Sequence, residues 1–541
     1  MRPWVLPFVA GATAVALIAT SIGLIVQTRR AAAAEERAEQ LASEVDQLRE
    51  RVRDLEAGRA PDDDGAGLGG LLDGLLDGSD GLGGLLGGLL GGGDLGGLIG
   101  ADAQPGMACM VADGGLSGGL PGLLGDGGLD GLLDGDLGGL LGDGGLGGLL
   151  GREGNTGASP AEPLPDDPDA LVAALVPQVA ADRGLAWTDP VEVDFLTGTQ
   201  LRERLDALLA EDADPARDDA YERLLVALGA VPPDTDLAAV RRELLGEQVA
   251  GFYAPDTGEL VVRVPDDGAV GTLDKITLVH ELQHALADQA LGLPDLEALE
   301  GSDRILAAQA VVEGDATLFM NRWALRNVAV EDQLEAATGE DAARAQAGLD
   351  GVPPYLQREL LFPYTEGLDW VCDRWLENGW DGVDAAYADP PTTTAEILFG
   401  AHAGPPDDLA GPAAPDGFDE LLRDEFGAAP LLWLFEAPGG DETAALPEAR
   451  LAASAWAGGA VTVSGNGDAT AVGVTLGDGT GTLCEDVASW YAAAFPDASG
   501  TTSGAERTFR SARQAAVLVC EDRSVQLGIG PDADVARAAA G

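Results

Sequence analysis

The pattern of apolar and polar positions divides the chain into segments of different composition and periodicity. The first segment, residues 1–30, contains an uncharged and mostly apolar run over residues 4–26. A run of this length is long enough to cross a bilayer as a helix, so we predict a transmembrane anchor. A cleaved signal peptide is the alternative, because residues 32–34 are small, although Arg29 and Arg30 lie before them.

The second segment, residues 31–58, shows a heptad pattern of apolar residues. The pattern is formed by Leu41, Val45, Leu48, Val52 and Leu55, with Ala34 and Ala38 extending it backwards. Valine at the a positions and leucine at the d positions favour a parallel dimer. We predict a short coiled-coil stalk that joins two chains as a homodimer, and one solvated amphipathic helix is the alternative.

The third segment, residues 59–160, is built mainly from glycine, leucine and aspartate. Dense glycine opposes a fixed helix, so we predict a flexible low-complexity spacer. An interaction segment that lies on membrane or cell-wall material is the alternative. Cys109 lies in this segment between Met107 and Met110, and it could cross-link two chains or pair with Cys372.

Residues 161–450 mix charged and apolar positions in the manner of a folded domain. Helical spacing predicts amphipathic helices over residues 169–183, 199–211, 217–228 and 236–245, with a strand over residues 191–195. Residues 248–264 predict a β-hairpin, with Pro255 in the turn and Gly258 as its left-handed residue. A hairpin before a metal-binding helix can pair an extended peptide, and capping the core is an equal alternative.

Residues 451–541 predict a small α+β lobe. The predicted strands cover residues 460–464, 469–476 and 515–520, and the predicted helix covers residues 485–495. Cys484 precedes this helix and Cys520 ends a strand, so we predict a disulfide between them if the lobe lies outside the cell. Two reduced core cysteines are the alternative.

The composition narrows the classes of function. The formal net charge of -61 excludes a nucleic-acid partner, which would require a basic face. No two of the four cysteines form a C-x-x-C pair, which argues against a cysteine zinc knuckle or a redox pair. The positive charges on the two sides of the predicted anchor are nearly balanced, so they do not set its orientation. The acidity and the cysteines of the C-terminal part favour placing that part outside the cytoplasm.

The strongest chemical pattern is H-E-x-x-H, formed by His280, Glu281 and His284. Residues four apart share one face of a helix, so both imidazoles can reach one metal ion, with Glu281 beside it as a general base. The chain has only three histidines in 541 residues, and two of them lie in this motif. We predict that the helix begins between residues 272 and 274 and ends at Gly292.

The motif leaves one metal ligand to be found, because a catalytic zinc site normally has three protein ligands and an open position. His402, the remaining histidine, lies far along the chain in a stretch rich in glycine and proline. Glu313 is the better candidate, since it lies among alanine and valine in a predicted helix over residues 303–327. A buried carboxylate needs a partner such as a cation. The alternative is an exposed glutamate on a polar side of that helix.

These segments resemble a group of uncharacterised bacterial and archaeal zinc-metallopeptidase-like proteins of the gluzincin type. The main matches are His-Glu-Leu-Gln-His-Ala-Leu-Ala-Asp-Gln at residues 280–289 and Val-Glu-Gly-Asp-Ala-Thr at residues 312–317. The Gly-Phe-Tyr hairpin and residues 362–367 and 390–398 match as well. The resemblance implies a zincin-like fold and one zinc ion per chain.

The resemblance also implies roles for individual residues. In gluzincin terms, the zinc ligands are His280, His284 and Glu313, and Glu281 is the general base. Two features depart from the pattern. The gap between the second histidine and the glutamate is longer than in thermolysin-like enzymes, and Thr317 stands where many gluzincins have an aspartate that supports a ligand.

Four further residues, Asp288, Asp315, Thr317 and Tyr364, are candidates for supporting a ligand or an oxyanion. Asp315 or Asp288 could orient an imidazole in place of the missing aspartate. Tyr364 could stabilise the oxyanion of a tetrahedral intermediate. A purely structural tyrosine is the alternative for Tyr364.

The sequence as a whole predicts an α+β fold, in which a mainly helical zincin-like domain with a β-hairpin precedes the small C-terminal lobe. The predicted function is that of a membrane-anchored zinc metallopeptidase that hydrolyses peptide bonds in a protein or peptide substrate. A cell-surface scaffold or adhesion protein that is weakly active or inactive and keeps a structural metal site is the alternative from another class. A non-peptidase amide hydrolase would use the same chemistry on another substrate.

Overall fold

Four helices and one strand precede the hairpin and the motif helix in the described part of the chain. The computed structural model describes Cys109 and residues 164–541, with gaps at residue 213, residues 266–269, most of residues 330–350, residues 401–408 and residue 522. The elements in this part are α1 (Pro168–Arg183), β1 (Val193–Thr197), α2 (Gly198–Asp212), α3 (Pro215–Ala227) and α4 (Leu237–Gln248). The four predicted helices are confirmed to within a few residues, and the predicted strand is displaced towards the C-terminus by two residues.

Several predictions from the sequence fall outside the described residues. They are the membrane anchor, the coiled-coil stalk, the spacer apart from Cys109, and the position of His402. In the part of the chain that the structure describes, no helix combines the length and the apolar character needed for a membrane span.

A three-stranded sheet lies against the motif helix. The hairpin strands β2 (Gly251–Ala254) and β3 (Glu259–Val264) are antiparallel, and β1 pairs with β3 in parallel, which gives the order β1-β3-β2. Gly258 has φ 69°, the left-handed conformation that the turn requires. The predicted hairpin is therefore confirmed, and β2 is the edge strand of this sheet.

The motif helix, α5 (Thr272–Leu291), begins at a cap made by its own first turn. The Asp274 carboxylate accepts the N–H of Gly271 at 2.8 Å, and the helix ends at Gly292, as predicted. Apolar residues of α5 pack into one core with the sheet, α1 and α6 (Ser302–Asn327). Its members include Leu278, Leu282, Leu286, Leu260, Val262, Leu171, Phe319 and Trp323. Burial on this scale fixes the orientation of α5.

In the described part of the chain after residue 350, the next helices are α7 (Pro354–Asn378), α8 (Trp380–Ala388) and α9 (Thr394–Phe399). Helices α6 and α7 cross at two glycines. A Cβ atom on Gly314 would lie 2.4 Å from the Gly367 carbonyl oxygen, and one on Gly367 would lie 2.3 Å from the Ala310 carbonyl oxygen. Only glycine permits this approach, and the crossing brings α7 directly against the segment that contains Glu313.

The C-terminal part contains a seven-stranded antiparallel sheet. Its elements in chain order are β4 (Asp419–Glu425), α10 (Ala428–Glu436), α11 (Ala449–Ala453), β5 (Trp456–Asn466), β6 (Ala469–Asp478), α12 (Leu483–Ala494), β7 (Ser499–Ser503), β8 (Glu506–Arg510), β9 (Ala515–Glu521), β10 (Ser524–Gly530) and α13 (Ala533–Ala540). The strand order is β4-β5-β6-β10-β9-β8-β7. Because β4 pairs with β5, the sheet includes residues on both sides of position 450.

The mixed architecture is consistent with the predicted α+β class. The three strands predicted in the C-terminal part are present but longer, and β4, β7, β8, β10 and α13 were not predicted. Strand β7, with the sequence Ser-Gly-Thr-Thr-Ser, has every residue exposed and no apolar alternation to reveal it. Such a strand exists because its neighbour β8 provides the hydrogen-bonding partners.

Two disulfides lie within the described residues. Cys484 is joined to Cys520, with Cα atoms 6.0 Å apart. Cys109 is joined to Cys372 on α7, with Cα atoms 5.7 Å apart. The sequence left open whether Cys109 cross-links two chains or pairs with Cys372. The observed bond joins it to Cys372 and so connects the glycine-rich segment to α7, the helix that crosses α6.

Candidate metal centre

The H-E-x-x-H residues lie at the middle of α5, where the helix is completely enclosed. His280 and Glu281 are fully buried and His284 is 2% exposed. Glu313 comes from the middle of α6 and is also fully buried. Polar side chains are rarely buried to this degree unless they have partners or bind a metal. The two helices therefore place four ionisable side chains in one enclosed space.

Three of these side chains converge on one point. The Nε2 atoms of His280 and His284 are 3.0 Å apart, and they lie 3.3 Å and 3.2 Å from Oε2 of Glu313. A tetrahedral ion with ligand distances of about 2.0 Å holds its ligand atoms about 3.3 Å apart. The three atoms thus already have the spacing of metal ligands. Within the described residues, no other group of three or more histidine, cysteine, aspartate or glutamate side chains converges in this way.

The charge states suit a cation. Burial lowers the pKa of His280, although the hydrogen bond with Glu313 opposes this change, and a neutral imidazole is the form that binds metals. Burial raises the pKa of Glu313, but the two histidines outweigh it and bring the pKa to about 2. The group therefore offers two imidazole nitrogens and one carboxylate, a donor set that suits several divalent transition metals.

Glu281 adjoins this group but has no partner of its own. Both carboxylate oxygens are buried, and neither has a hydrogen-bond partner among the described residues. Burial and the charge of Glu313 raise the pKa of Glu281 well above its usual range. A cation between the two carboxylates would offset this repulsion. The residues present therefore fit a metal ion, and they are poorly satisfied by the protein alone.

The hairpin reaches this group through its glycine. A Cβ atom on Gly251 would lie 2.9 Å from Cγ2 of Thr277 and 3.3 Å from Cγ of Glu281. Strand β2 can therefore pass directly over the turn of α5 that carries Glu281 only because residue 251 has no side chain. This contact explains physically why a Gly-Phe-Tyr strand accompanies the motif helix.

Tyr364, one of the predicted supporting residues, lies near His280. Its ring centroid is 6.4 Å from that of His280, and the residue is 1% exposed. Burial and the charge of Glu313 raise the pKa of Tyr364 well above its usual range, so the phenol is protonated. The close crossing of α6 and α7 at Gly314 and Gly367 brings Tyr364, on α7, near His280 and Glu313.

The other three predicted supporting residues have different surroundings. Asp288 accepts a hydrogen bond from the Tyr253 hydroxyl at 2.6 Å, which joins β2 to the end of α5. Thr317 is buried, and its hydroxyl has no hydrogen-bond partner among the described residues. Asp315 accepts hydrogen bonds from Gln283, Tyr387 and Arg183.

Sequence reasoning missed the partners of Asp315. Gln283 lies between the two histidines and was visible as a polar residue on a buried helix. Arg183 and Tyr387 are 132 and 72 positions away from Asp315 in the chain. Each is an ordinary helix residue in its own segment, so the local sequence does not indicate that either of them contacts Asp315.

A cavity lies next to Tyr364, which is one of its lining residues. Its volume is about 180 Å³, and its wall is largely apolar, with Leu306, Phe426 and Trp433 among the lining residues. The Tyr221 hydroxyl donates a hydrogen bond to Glu359 on the same wall. An aliphatic cavity of about 150 Å³ is large enough to bind benzene, so this one has room for a side chain of leucine or phenylalanine size.

Comparison with protein-family models, with curated proteins and with solved structures finds no match to this chain.

Proposed function

We propose that this protein is a membrane-anchored zinc metallopeptidase that hydrolyses peptide bonds in protein or peptide substrates. The observation that carries the proposal is the position of Glu281, a buried carboxylate with no hydrogen-bond partner in the described part of the chain, beside three ligand atoms at tetrahedral spacing. Three protein ligands and a neighbouring carboxylate are the set that catalytic zinc sites use. The three-stranded sheet, α5 and α6 are proposed to form a zincin-like core.

The chemistry follows from the side chains around the metal position. When bound, zinc supplies Lewis acidity, which polarises a carbonyl group and acidifies a water molecule. His280, His284 and Glu313 would hold the ion. Glu281 would accept a proton from the attacking water and deliver it to the leaving amine. Tyr364, which is protonated, would donate a hydrogen bond to the developing oxyanion.

The cavity next to Tyr364 supports a substrate with an apolar side chain close to the scissile bond. Binding pockets in proteins are concave, mostly apolar and equipped with a few polar groups. The cavity has these properties, and Tyr364 borders both the cavity and the histidines. We therefore expect cleavage sites to be flanked by a residue such as leucine or phenylalanine.

The location is proposed to be the cell membrane, with the catalytic part outside the cytoplasm. The two disulfides support this proposal, because disulfides persist in oxidising compartments. The apolar run over residues 4–26 would anchor the chain, and the heptad segment would join two copies.

A second candidate function is favoured by the burial of the site. All four side chains are between 0% and 2% exposed, whereas a catalytic site must admit its substrate. A cell-surface scaffold that uses the metal only for stability would have this closed form. The number of ligands argues the other way, because structural zinc sites normally have four protein ligands.

The experiment that separates the two candidates compares the full-length wild-type protein with Glu281→Gln. Zinc content is measured by mass spectrometry, and cleavage is measured on a peptide library. We expect one zinc per chain in both proteins, and a rate of cleavage that falls about 10²–10⁴-fold in Glu281→Gln, because the general base is lost.

Two outcomes would contradict the peptidase proposal in different ways. Stoichiometric zinc without cleavage in either protein would favour the scaffold. Equal cleavage by both proteins would show that Glu281 is not the base and that another site is responsible.

A further inference from the structure

A second buried polar cluster lies directly behind the metal ligands. One oxygen, Oδ2 of Asp315, accepts three hydrogen bonds: from Gln283 Nε2 at 2.9 Å, from the Tyr387 hydroxyl at 2.8 Å and from Arg183 Nη2 at 3.3 Å. Asp315 and Gln283 are fully buried, and Arg183 is 1% exposed. The donors come from α5, α8 and α1, so this one carboxylate of α6 is bonded to three other helices.

The positions of Gln283 and Asp315 relate this cluster to the metal centre. Gln283 lies in the helical turn between His280 and His284, and Asp315 lies two residues after Glu313. The bond between them therefore joins the turn of α5 that carries both nitrogen ligands to the turn of α6 that carries the oxygen ligand. It is the shortest polar link between the two helices at this level.

The buried charge of Asp315 is compensated from the opposite side. Arg183 also donates to Asp384 at 2.6 Å, and its guanidinium lies 4.3 Å from the centre of the Trp380 ring. An arginine held by two carboxylates and an aromatic face has little freedom to move. Asp315 therefore has a fixed counter-charge and needs no metal of its own. Its three donors leave it in one orientation.

We propose that Gln283 and Asp315 are positioning residues that set the separation of α5 and α6 at the metal centre, with Arg183 and Tyr387 holding Asp315 in place. This role rests on the proposed metal site. The three ligand atoms have their mutual distances of 3.0 to 3.3 Å because Gln283 and Asp315 hold together the two helical turns that carry the ligands. Supporting residues of this kind lower the cost of assembling a site when the ion binds.

The test measures binding of Zn²⁺ alone to the full-length protein, by competition with a chromogenic chelator. Gln283→Met keeps the size of the side chain and removes its donor. We expect this change to weaken Zn²⁺ binding about 10–100-fold, the range found when outer partners of ligands are removed. We also expect an altered visible absorption spectrum of the Co²⁺-loaded protein, which reports ligand geometry and does not depend on catalysis.

The chain offers a matched control in Gln178→Met. Gln178 donates to Asn327 at 2.9 Å and so also links a neighbouring helix to α6, but at the end of α6 far from Glu313. The control should bind Zn²⁺ as the wild type does, with the same Co²⁺ spectrum. Because both variants lose one glutamine bond to α6, a merely structural effect would appear in both.

Tyr387→Phe provides a second variant that removes only one hydroxyl group. It should also weaken Zn²⁺ binding, but by a smaller factor than Gln283→Met. If Gln283→Met does not fold, Tyr387→Phe serves as the test of the positioning role. Wild-type affinity and an unchanged Co²⁺ spectrum in Gln283→Met, or in Tyr387→Phe in that case, would overturn the positioning role. A wild-type protein that binds no Zn²⁺ would overturn the metal site itself.

Discussion

Two buried carboxyl groups on the same helix have opposite surroundings. Near the start of α6, Asp303 accepts hydrogen bonds from the backbone N–H of Thr394, at 3.2 Å, and from the Thr394 hydroxyl. In the middle of α6, Glu313 faces two imidazoles and lies near Glu281, whose oxygens have no partner among the described residues. Both groups are at least 96% buried, so burial does not distinguish them.

The two carboxyl groups differ in the hydrogen-bond donors that the protein supplies to them. The protein supplies donors to Asp303, and the same threonine hydroxyl accepts the N–H of Ala429 at 3.0 Å, so this junction is complete without a ligand. The candidate metal centre instead brings together two carboxylates that repel each other, and Glu281 has no hydrogen-bond donor among the described residues. Such an arrangement is costly unless a cation is bound. The supply of hydrogen-bond donors, rather than burial, distinguishes Glu313 and Glu281 from Asp303.

The largest expected effect comes from removing the oxygen ligand. Glu313→Ala should abolish stoichiometric zinc binding, a loss greater than the roughly 100-fold that outer partners of ligands contribute. Asp303→Asn on the same helix is the control and should retain one zinc per chain. Zinc content after dialysis measures both. Equal loss of zinc in the two variants would mean that the contrast between the two carboxyl groups has no functional meaning.

The next effect concerns the pH dependence of stability at Asp303. Burial raises the pKa of Asp303 to about 7. Between pH 4 and pH 7 the folded protein keeps this proton while the unfolded chain loses it, so the group's contribution to stability falls as pH rises through this window and levels off above it. The change amounts to at most about 4 kcal/mol. Urea unfolding of wild type and Asp303→Asn at several pH values measures it.

In Asp303→Asn this contribution is absent, so the difference in unfolding free energy between the two proteins should change steadily from pH 4 to pH 7. A difference that stays constant over the window would show that the junction does not hold Asp303 in its protonated form. Zinc-free protein is used at every pH, because metal binding has its own dependence on pH.

The smallest expected effect concerns the helix crossing that places Tyr364. Gly314→Ala would put a methyl group 2.4 Å from the Gly367 carbonyl oxygen, and overpacking of this kind costs about 1–3 kcal/mol. Gly351→Ala is the control, since a Cβ atom there meets nothing within 4 Å. Urea unfolding should show the loss only in Gly314→Ala. Similar stabilities for the two variants would indicate that α6 and α7 separate easily.

The sequence contained much of the site and rather less of the fold. The motif helix and the helix of Glu313 are long and periodic, with capping and stop residues at Asp274 and Gly292, and both were predicted to within two residues. Glu313 was predicted as the third ligand from its alanine and valine neighbours and from the resemblance, but the sequence could not give its distance to the histidines, because no local pattern measures the distance between two helices.

The remaining features depend on contacts between residues that are far apart in the chain. Cys109 and Cys372 are 263 positions apart, and the sequence left their pairing open. Strand β10 was missed because its alternation is interrupted by glycines, whereas Gly528 is needed there for the approach of α13 to the sheet. Secondary-structure propensity describes each segment in isolation. The segments that it pairs with depend on tertiary packing, which the local sequence does not show.

The most direct test of the metal centre is X-ray absorption at the zinc edge of the full-length, zinc-loaded protein. The geometry predicts one zinc per chain, nitrogen and oxygen neighbours at about 2.0–2.2 Å, and the multiple-scattering pattern of two imidazoles. Absence of bound zinc, or sulfur neighbours at about 2.3 Å, would contradict the assignment of His280, His284 and Glu313 as the ligands.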